Sequence, residues 1–252
     1  MLRYVTVTGI DDGTDLIDVL NIAKKYHFVE WGVLVNNSYH KPQSRFPDHN
    51  IIINLAKCKN ILPQMNLSLH ICGPFLEKII NDGDWNVFYH LRRIPHSKGI
   101  NVIDCFSRIQ LNLSNMISEI QEPFFESLKN IDQEIILQLK SVEGNEELIK
   151  KCKKCKKNAN ISVLFDASGG KGKLPETWPN SIKNCGYAGG LTPDNVEEQL
   201  CLIKSLVGKN SPTWIDAESG LRFYDQFSQF DLRKVEEFLI NSLPFVERYG
   251  KK

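Results

Sequence analysis

Short runs of β-branched and aliphatic residues alternate with helical patterns from one end of the chain to the other. The runs fall at Tyr4–Thr8, Phe28–Val35, Leu67–Ile71, Arg108–Leu113, Glu134–Leu139, Ile161–Phe165, Asn184–Tyr187 and Thr213–Ile215, eight in all. Several are apolar throughout, which suits parallel strands covered by helices. Between them lie amphipathic stripes. Leu16, Val19, Leu20 and Ala23 share one helical face. Thr192 as cap and Pro193 at the first helical position precede a stripe of Val196, Leu200, Ile203 and Val207. Asp231 can cap a last helix carrying Leu232, Val235, Phe238 and Leu239. Eight β-then-α units without a linker predict an α/β fold of the (β/α)8 TIM-barrel type, a single domain spanning 1–252. A doubly wound open sheet is the competitor, but only Gly9 and Gly13 follow the first strand, short of a Gly-x-Gly-x-x-Gly turn.

Charge changes the picture only by exclusion. The chain has 252 residues with 31 Lys+Arg against 30 Asp+Glu, a net charge of +1. No global field is available to attract a polyanion, so neither nucleic acid nor a membrane surface is implied as a partner. No stretch approaches the ~20 apolar residues of a bilayer span, and Met1–Val7 runs into the first strand without a signal peptide's apolar core. The seven cysteines are an odd number and scattered, which reads as reduced thiols in a cytoplasmic protein. In the run Lys150–Lys157, Cys152 and Cys155 follow Leu148 at i+4 and i+7, so they are expected to pack inward beneath a solvated lysine face. A zinc site there lacks a second cysteine pair at suitable spacing. The six histidines lie far apart, so no metal site emerges and no cofactor is implied. Oligomeric state is not readable.

In a barrel of this kind the active site lies at the C-terminal ends of the strands. Those ends gather the polar residues and the glycines. The first leads to Asp11 and Asp12, the second carries Glu30 and leads to Ser44-Arg45-Phe46, and the third ends in His70, Cys72 and Gly73. Gln110 and Asn112 lie on the fourth, Gln138 and Lys140 on the fifth. Asp166-Ala-Ser-Gly-Gly-Lys-Gly172 follows the sixth, Gly189-Gly190 the seventh, and Asp216-Ala-Glu-Ser-Gly220 the eighth. Gly189, Gly190, Ser219 and Gly220 precede segments able to begin a helical turn. There, backbone N–H groups can converge on a phosphate without a Cβ in the way. A bulky residue at Gly190 is expected to block such a ligand while leaving the barrel folded. Asp216 is read as ordering its loop. Glu30, between Val29 and Trp31, should face the barrel interior and needs a partner there.

The segments Val163-Leu-Phe-Asp-Ala-Ser-Gly-Gly-Lys-Gly172, Tyr187-Ala-Gly-Gly-Leu-Thr-Pro-Asp-Asn-Val196 and Ile215-Asp-Ala-Glu-Ser-Gly220 resemble the last three strand ends of phosphoribosylanthranilate isomerase. Ser44-Arg45-Phe46 and Ile109-Gln110-Leu111 are similar to weaker elements of that pattern. The resemblance implies a phosphate-binding (β/α)8 barrel and an isomerase of tryptophan biosynthesis, which performs an Amadori rearrangement of a phosphoribosyl amine. It implies Asp166 as general acid, Gly189, Gly190, Ser219 and Gly220 as phosphate cradle, and Arg45 as a substrate contact, with Gln110 beside it. The family's base is a Cys just before the glycine that ends strand one, and this chain has Thr8 there. A threonine hydroxyl has no titration near neutral pH comparable with a thiol.

Three readings follow. The protein runs acid–base chemistry on another small phosphorylated, sugar-type ligand; or it performs the family's own reaction with a relocated base; or it binds a phosphorylated ligand without catalysis. The first is favoured, with the second proton-transfer group to be found among Asp11, Glu30, His70 and Cys72.

Overall fold

The computed structural model describes residues 2–36, 45–85, 102–113, 116–155, 160–166, 172–208, 211–223 and 228–247. Its strands and helices run β1 (Leu2–Thr8), α1 (Leu16–Lys25), β2 (Val29–Val35), α2 (His49–Ile61), β3 (Asn66–Ile71), α3 (Gly73–Asp82), β4 (Arg108–Leu111), α4 (Glu122–Ser127), β5 (Glu134–Leu139), α5 (Glu146–Cys155), β6 (Ile161–Asp166), β7 (Cys185–Ala188), α6 (Val196–Leu206), β8 (Thr213–Ala217), a small hairpin β9 (Arg222–Phe223) and β10 (Gln229–Phe230), and α7 (Leu232–Ser242). Strands β1 to β8 pair in sequence order, all parallel, and β8 pairs back onto β1. The chain is a closed eight-stranded β/α barrel.

Local chemistry explains the helix starts. The side chains of Asp15, Asp48 and Asp231 accept from the backbone two residues on, capping α1, α2 and α7. Helix α6 begins at Val196 rather than at Pro193. Asn195 accepts from the Thr192 N–H at 2.9 Å and donates to the Gly190 carbonyl at 2.9 Å, so residues before the helix are held in a turn instead. Among the described residues the strict strand–helix alternation also breaks once. Between β6 and β7 the described part, 172–184, holds no helix. Trp178 covers that side of the sheet, edge-on to Tyr187 at 5.7 Å and donating to Gln199 at 2.9 Å. On α5, Cys152 is buried and Cys155 half-buried, and all seven cysteines of the chain are free.

The apolar core lies outside the barrel. Val5, Val7, Trp31, Leu69, Ile109, Leu137, Phe165, Tyr187 and Ile215 point outward and join the helix stripes in one cluster. The opposite face of each strand fills the interior, and it is largely polar. Only Ile136, Leu164, Ala188 and Trp214, with Tyr4 packed against them, form an interior apolar cluster. Below it, Arg108 donates to Glu30 at 2.8 Å and stacks over the Trp214 ring at 4.2 Å. Thr6 donates to the same Glu30 oxygen at 2.8 Å. Burial pushes the Glu30 carboxyl up, and the Arg108 guanidinium and Thr6 hydroxyl pull it back. Among the described residues, no helix is long and apolar enough to cross a membrane.

Breaking this pair leaves the buried Arg108 charge with only Glu134, 3.6 Å away, as a carboxylate partner. Glu30→Gln is therefore expected to cost about 3–5 kcal/mol in urea unfolding. The double variant Glu30→Leu/Arg108→Met should recover most of that loss. A Glu30→Gln protein as stable as wild type would show that the pair carries no such constraint.

Candidate active site

At the C-terminal ends of the strands the barrel opens into a cavity of about 230 Å3. Its walls include Arg45, His70, Cys72, Gln110, Gln138 and Asp166, then Gly189, Gly190, Asp216, Glu218 and Ser219. Six strands thus deliver side chains to one space, each at the residue where its pleat turns inward just before the strand ends.

The interior parity is visible in the register. Asp166 lies opposite Ala188, and Ala188 opposite Asp216, so the two carboxyl groups share a layer with one small residue between them. Two strand spacings put their Cα atoms about 10 Å apart. Gln138 donates to Asp166 Oδ2 at 2.6 Å. Thr8, on the neighbouring β1, donates to Asp216 Oδ1 at 2.7 Å, while Asp216 Oδ2 faces His70 Nδ1 at 3.9 Å. His70 lies opposite Gln110 across β3 and β4, with Gln110 Nε2 at 3.4 Å from its Nδ1. Gln110 also donates to Asn112 at 3.0 Å. Room for the Thr8 hydroxyl comes from Gly32, since a Cβ there would lie 2.1 Å from Thr8 Oγ1.

Burial sets the protonation of these groups. It pushes the Asp216 carboxyl up to about 8, against the lowering effect of the Thr8 hydroxyl and helped by the charges of Glu218, Glu30 and Asp166. Burial, with the Arg108 charge beneath, drives His70 down to about 3, so its imidazole is neutral at any physiological pH. Burial raises the Cys72 thiol to about 11, and the thiol donates to the Val35 carbonyl at 3.5 Å. Glu218 is raised by burial and drawn back by Arg45, which donates to it at 2.8 Å.

Several expected site residues meet here and three do not. Asp166, His70, Cys72, Arg45 and Gln110 line the cavity, as do Gly189, Gly190 and Ser219. Asp11 is outside it. Its Oδ2 accepts from Arg222 at 2.8 Å and from the Phe230 N–H at 2.9 Å, and its Oδ1 accepts from Thr14 at 2.9 Å. That buried ion pair ties the loop after β1 to the β9–β10 hairpin. Glu30 faces the interior but sits a layer lower, bound to Arg108. Gly220 lies behind the wall, where a Cβ would meet the Leu191 carbonyl at 2.1 Å, so it lets the two late loops approach. Gly190 has φ +66°, and a Cβ on it would lie 2.3 Å from the Leu174 amide nitrogen. A bulky residue there therefore strains the loop itself, contrary to the expectation that it would only block a ligand. Residues 167–171, including Ser168 and Lys171, lie outside the described residues, as does Ser44. Among the described residues, no group of three or more His, Cys, Asp or Glu side chains is placed to hold a metal ion.

Reasoning from sequence passed over Asp216, Glu218, Asn112 and Thr8 as site residues. For Asp216 the signal was present. It stands two residues after Trp214, so both share the interior face, the same argument that placed Glu30 inside.

Comparison with solved structures agrees with the architecture. Phospho-2-dehydro-3-deoxyheptonate aldolase from Thermotoga maritima superposes with TM-score 0.59 at 9% identity, covering 97% of this chain and 69% of that one. A D-psicose 3-epimerase, solved in the presence of D-fructose, gives 0.51 at 11% identity over 96% and 97% of the two chains. Malate synthase from Haloferax volcanii gives 0.53 at 10% identity over 100% and 75%. What is shared is the barrel. No protein-family model matches the chain, and no curated protein sequence matches it.

A carboxyl that keeps its proton when folded makes stability fall with rising pH. The unfolded Asp216 ionises near pH 4 and the folded one near pH 8, so between them unfolding releases a proton. Stability tied to this group is complete below pH 4 and lost by pH 8. Asp216→Asn removes that dependence. Its advantage over wild type should grow across the window, by at most ~1.4 kcal/mol per pH unit, to a few kcal/mol. Denaturant titrations at pH 5 and pH 8.5 measure it; equal differences at both would contradict the buried neutral acid.

Proposed function

We propose that this barrel is an enzyme that moves a proton within a small phosphorylated, sugar-derived ligand, an intramolecular isomerisation of the aldose–ketose kind. The observation that carries the reading is the convergence of three carboxyl groups, three amide side chains and a glycine-lined rim on one cavity at the strand ends. Each part has a use. The amides of Gln110, Asn112 and Gln138 both donate and accept, which suits a chain of hydroxyl groups. Gly189, Gly190 and Ser219 line the cavity, and Arg45 stands at its rim paired with Glu218 at 2.8 Å; backbone N–H groups and a guanidinium able to exchange that partner favour an anionic end such as a phosphate. Asp166, held at one oxygen by Gln138, is placed as the acid that protonates a ring or carbonyl oxygen.

The resemblance of the last three strand ends to phosphoribosylanthranilate isomerase supports the same class of substrate. Loss of the strand-one cysteine separates the class from that particular reaction.

The test pairs binding with turnover. Purified protein is offered ribose 5-phosphate and phosphoribosylanthranilate, with calorimetry for binding and NMR or fluorescence for product. Asp166→Ala should lose turnover by 100-fold or more while binding changes less than about fivefold. Arg45→Ala should weaken binding of the phosphorylated ligand about tenfold, with little change for the dephosphorylated one. Binding without turnover in wild type would make the protein a carrier rather than an enzyme. Turnover of phosphoribosylanthranilate would restore the family's own reaction with its base elsewhere.

A further inference from the structure

The four groups singled out in the sequence as the second proton-transfer partner are each otherwise disposed. Asp11 is held by Arg222 and Glu30 by Arg108, both away from the cavity. His70 lines the cavity, but a ring whose proton leaves at about 3 is a poor base at neutral pH. Cys72 keeps its proton to about 11. Asp216, by contrast, lines the cavity in the same layer as Asp166, with only Ala188 between their strands. Two side chains from other strands of the barrel stand against it. Thr8 fixes one oxygen at 2.7 Å, in a space kept open by Gly32, and the imidazole of His70 stands 3.9 Å from the other.

We infer that Asp216 is the base that works across the cavity from Asp166, and that Thr8 is its positioning residue. The inference rests on the proposed isomerisation and deepens it. In the open-chain ligand the Asp216 carboxylate takes the proton from C2. The C2–H electron pair becomes the C1=C2 bond, and the C1=O π pair moves to oxygen, which takes the proton that Asp166 carries in the form where Asp216 is the ionised member of the pair. Asp166 then takes the proton of the C2 hydroxyl as Asp216 returns its own to C1, so both carboxyl groups are restored, the product is an isomer and nothing is oxidised or reduced. Thr8 stands where the resembling family keeps its thiol base. Here that position no longer carries the proton itself but holds the group that does.

The groups facing Asp216 are Thr8 from β1, His70 from β3, Asp166 from β6 and Glu218 just beyond β8, with Glu30 of β2 acting from below. The surrounding acids and burial favour its neutral form, and the Thr8 hydroxyl opposes them. The carboxylate form needed by a base is therefore populated progressively as pH rises toward 8.

Two measurements test this on the full-length protein. With 13C-carboxyl-labelled aspartate, one resonance should titrate near pH 8 and be missing from Asp216→Asn. Thr8→Val should move its midpoint upward and Thr8→Ser should restore it. An Asp216 carboxyl that titrates in the ordinary range near pH 4, or one indifferent to Thr8→Val, overturns the assignment. The second readout is washout of the C2 hydrogen of ribose 5-phosphate in D2O. The wild-type rate should climb with the same midpoint, and Asp216→Asn should lose at least 100-fold while still binding the sugar phosphate. If Asp166→Asn abolishes exchange and Asp216→Asn does not, the base lies elsewhere and the functional reading stands. If wild type binds ribose 5-phosphate but exchanges nothing at any pH, proton transfer by Asp216 is refuted while ligand binding survives. If it does not bind, the functional reading fails and this inference falls with it.

Discussion

The buried ion pair of Glu30 and Arg108 is the constraint on which the rest of this barrel turns. A closed eight-stranded sheet must fill its own axis, and hydrocarbon is the usual filling. Here the lower interior is occupied by a guanidinium stacked over Trp214 and bonded to a carboxylate. Stability then has to come from the other face of the sheet, where the outward residues and seven helices form the apolar cluster among the described residues. A buried pair of this kind is weak evidence of stability in itself, because desolvation consumes much of the Coulombic gain. Its effect is electrostatic and directional. The Arg108 charge helps to keep His70 neutral, and the Glu30 charge helps to keep Asp216 protonated.

That coupling divides the interior into two storeys. Below, Thr6 and Arg108 both donate to one oxygen of Glu30, and Arg108 also stands 3.6 Å from Glu134. Above, Thr8 is linked to Asp216, His70 to Gln110 and Gln138 to Asp166. Asp216 is fixed at one oxygen by Thr8, a side chain that is not part of the cavity wall. Protein interiors tolerate few polar groups that are only partly satisfied, and where they cluster the arrangement favours function over stability.

The barrel itself was legible because its signal is repeated. Eight β-branched runs at barrel spacing survive an error of one or two residues at any boundary, as at Thr213–Ala217, which reads two residues shorter from sequence. The break between β6 and β7 was not legible, since the length of that segment accommodates a helix and only Trp178, lying on Tyr187, reveals that a side chain does the covering. At the site the outcome follows the kind of inference used. Asp166, Arg45 and the glycines of β7 were found from position at strand ends and reached the cavity. Asp11 also stands at a strand end, but its carboxylate is captured by Arg222, more than 200 positions further along the chain. No local pattern announces so distant a partner. Asp216 is reachable by strand parity, yet a loop-ordering role explains an aspartate before Ala-Glu-Ser-Gly equally well.

Thr8 shows why the identity of one residue can mislead about a whole site. Taken alone, replacement of a titratable thiol by a hydroxyl removes a base. In the folded barrel, β1 closes against β8, and register brings the hydroxyl to the Asp216 carboxyl. A cysteine at position 8 would put a weak, long hydrogen-bonding group against that carboxyl, and a valine would put none. The threonine is thus understood together with Gly32, which clears the space, and with the charge from Glu30 and Arg108 below. Burial and the neighbouring acids raise the proton affinity of the Asp216 carboxyl to about 8, against the pull of the Thr8 hydroxyl, so the polar interior brings a carboxyl close to the range where proton transfer at neutral pH is most effective.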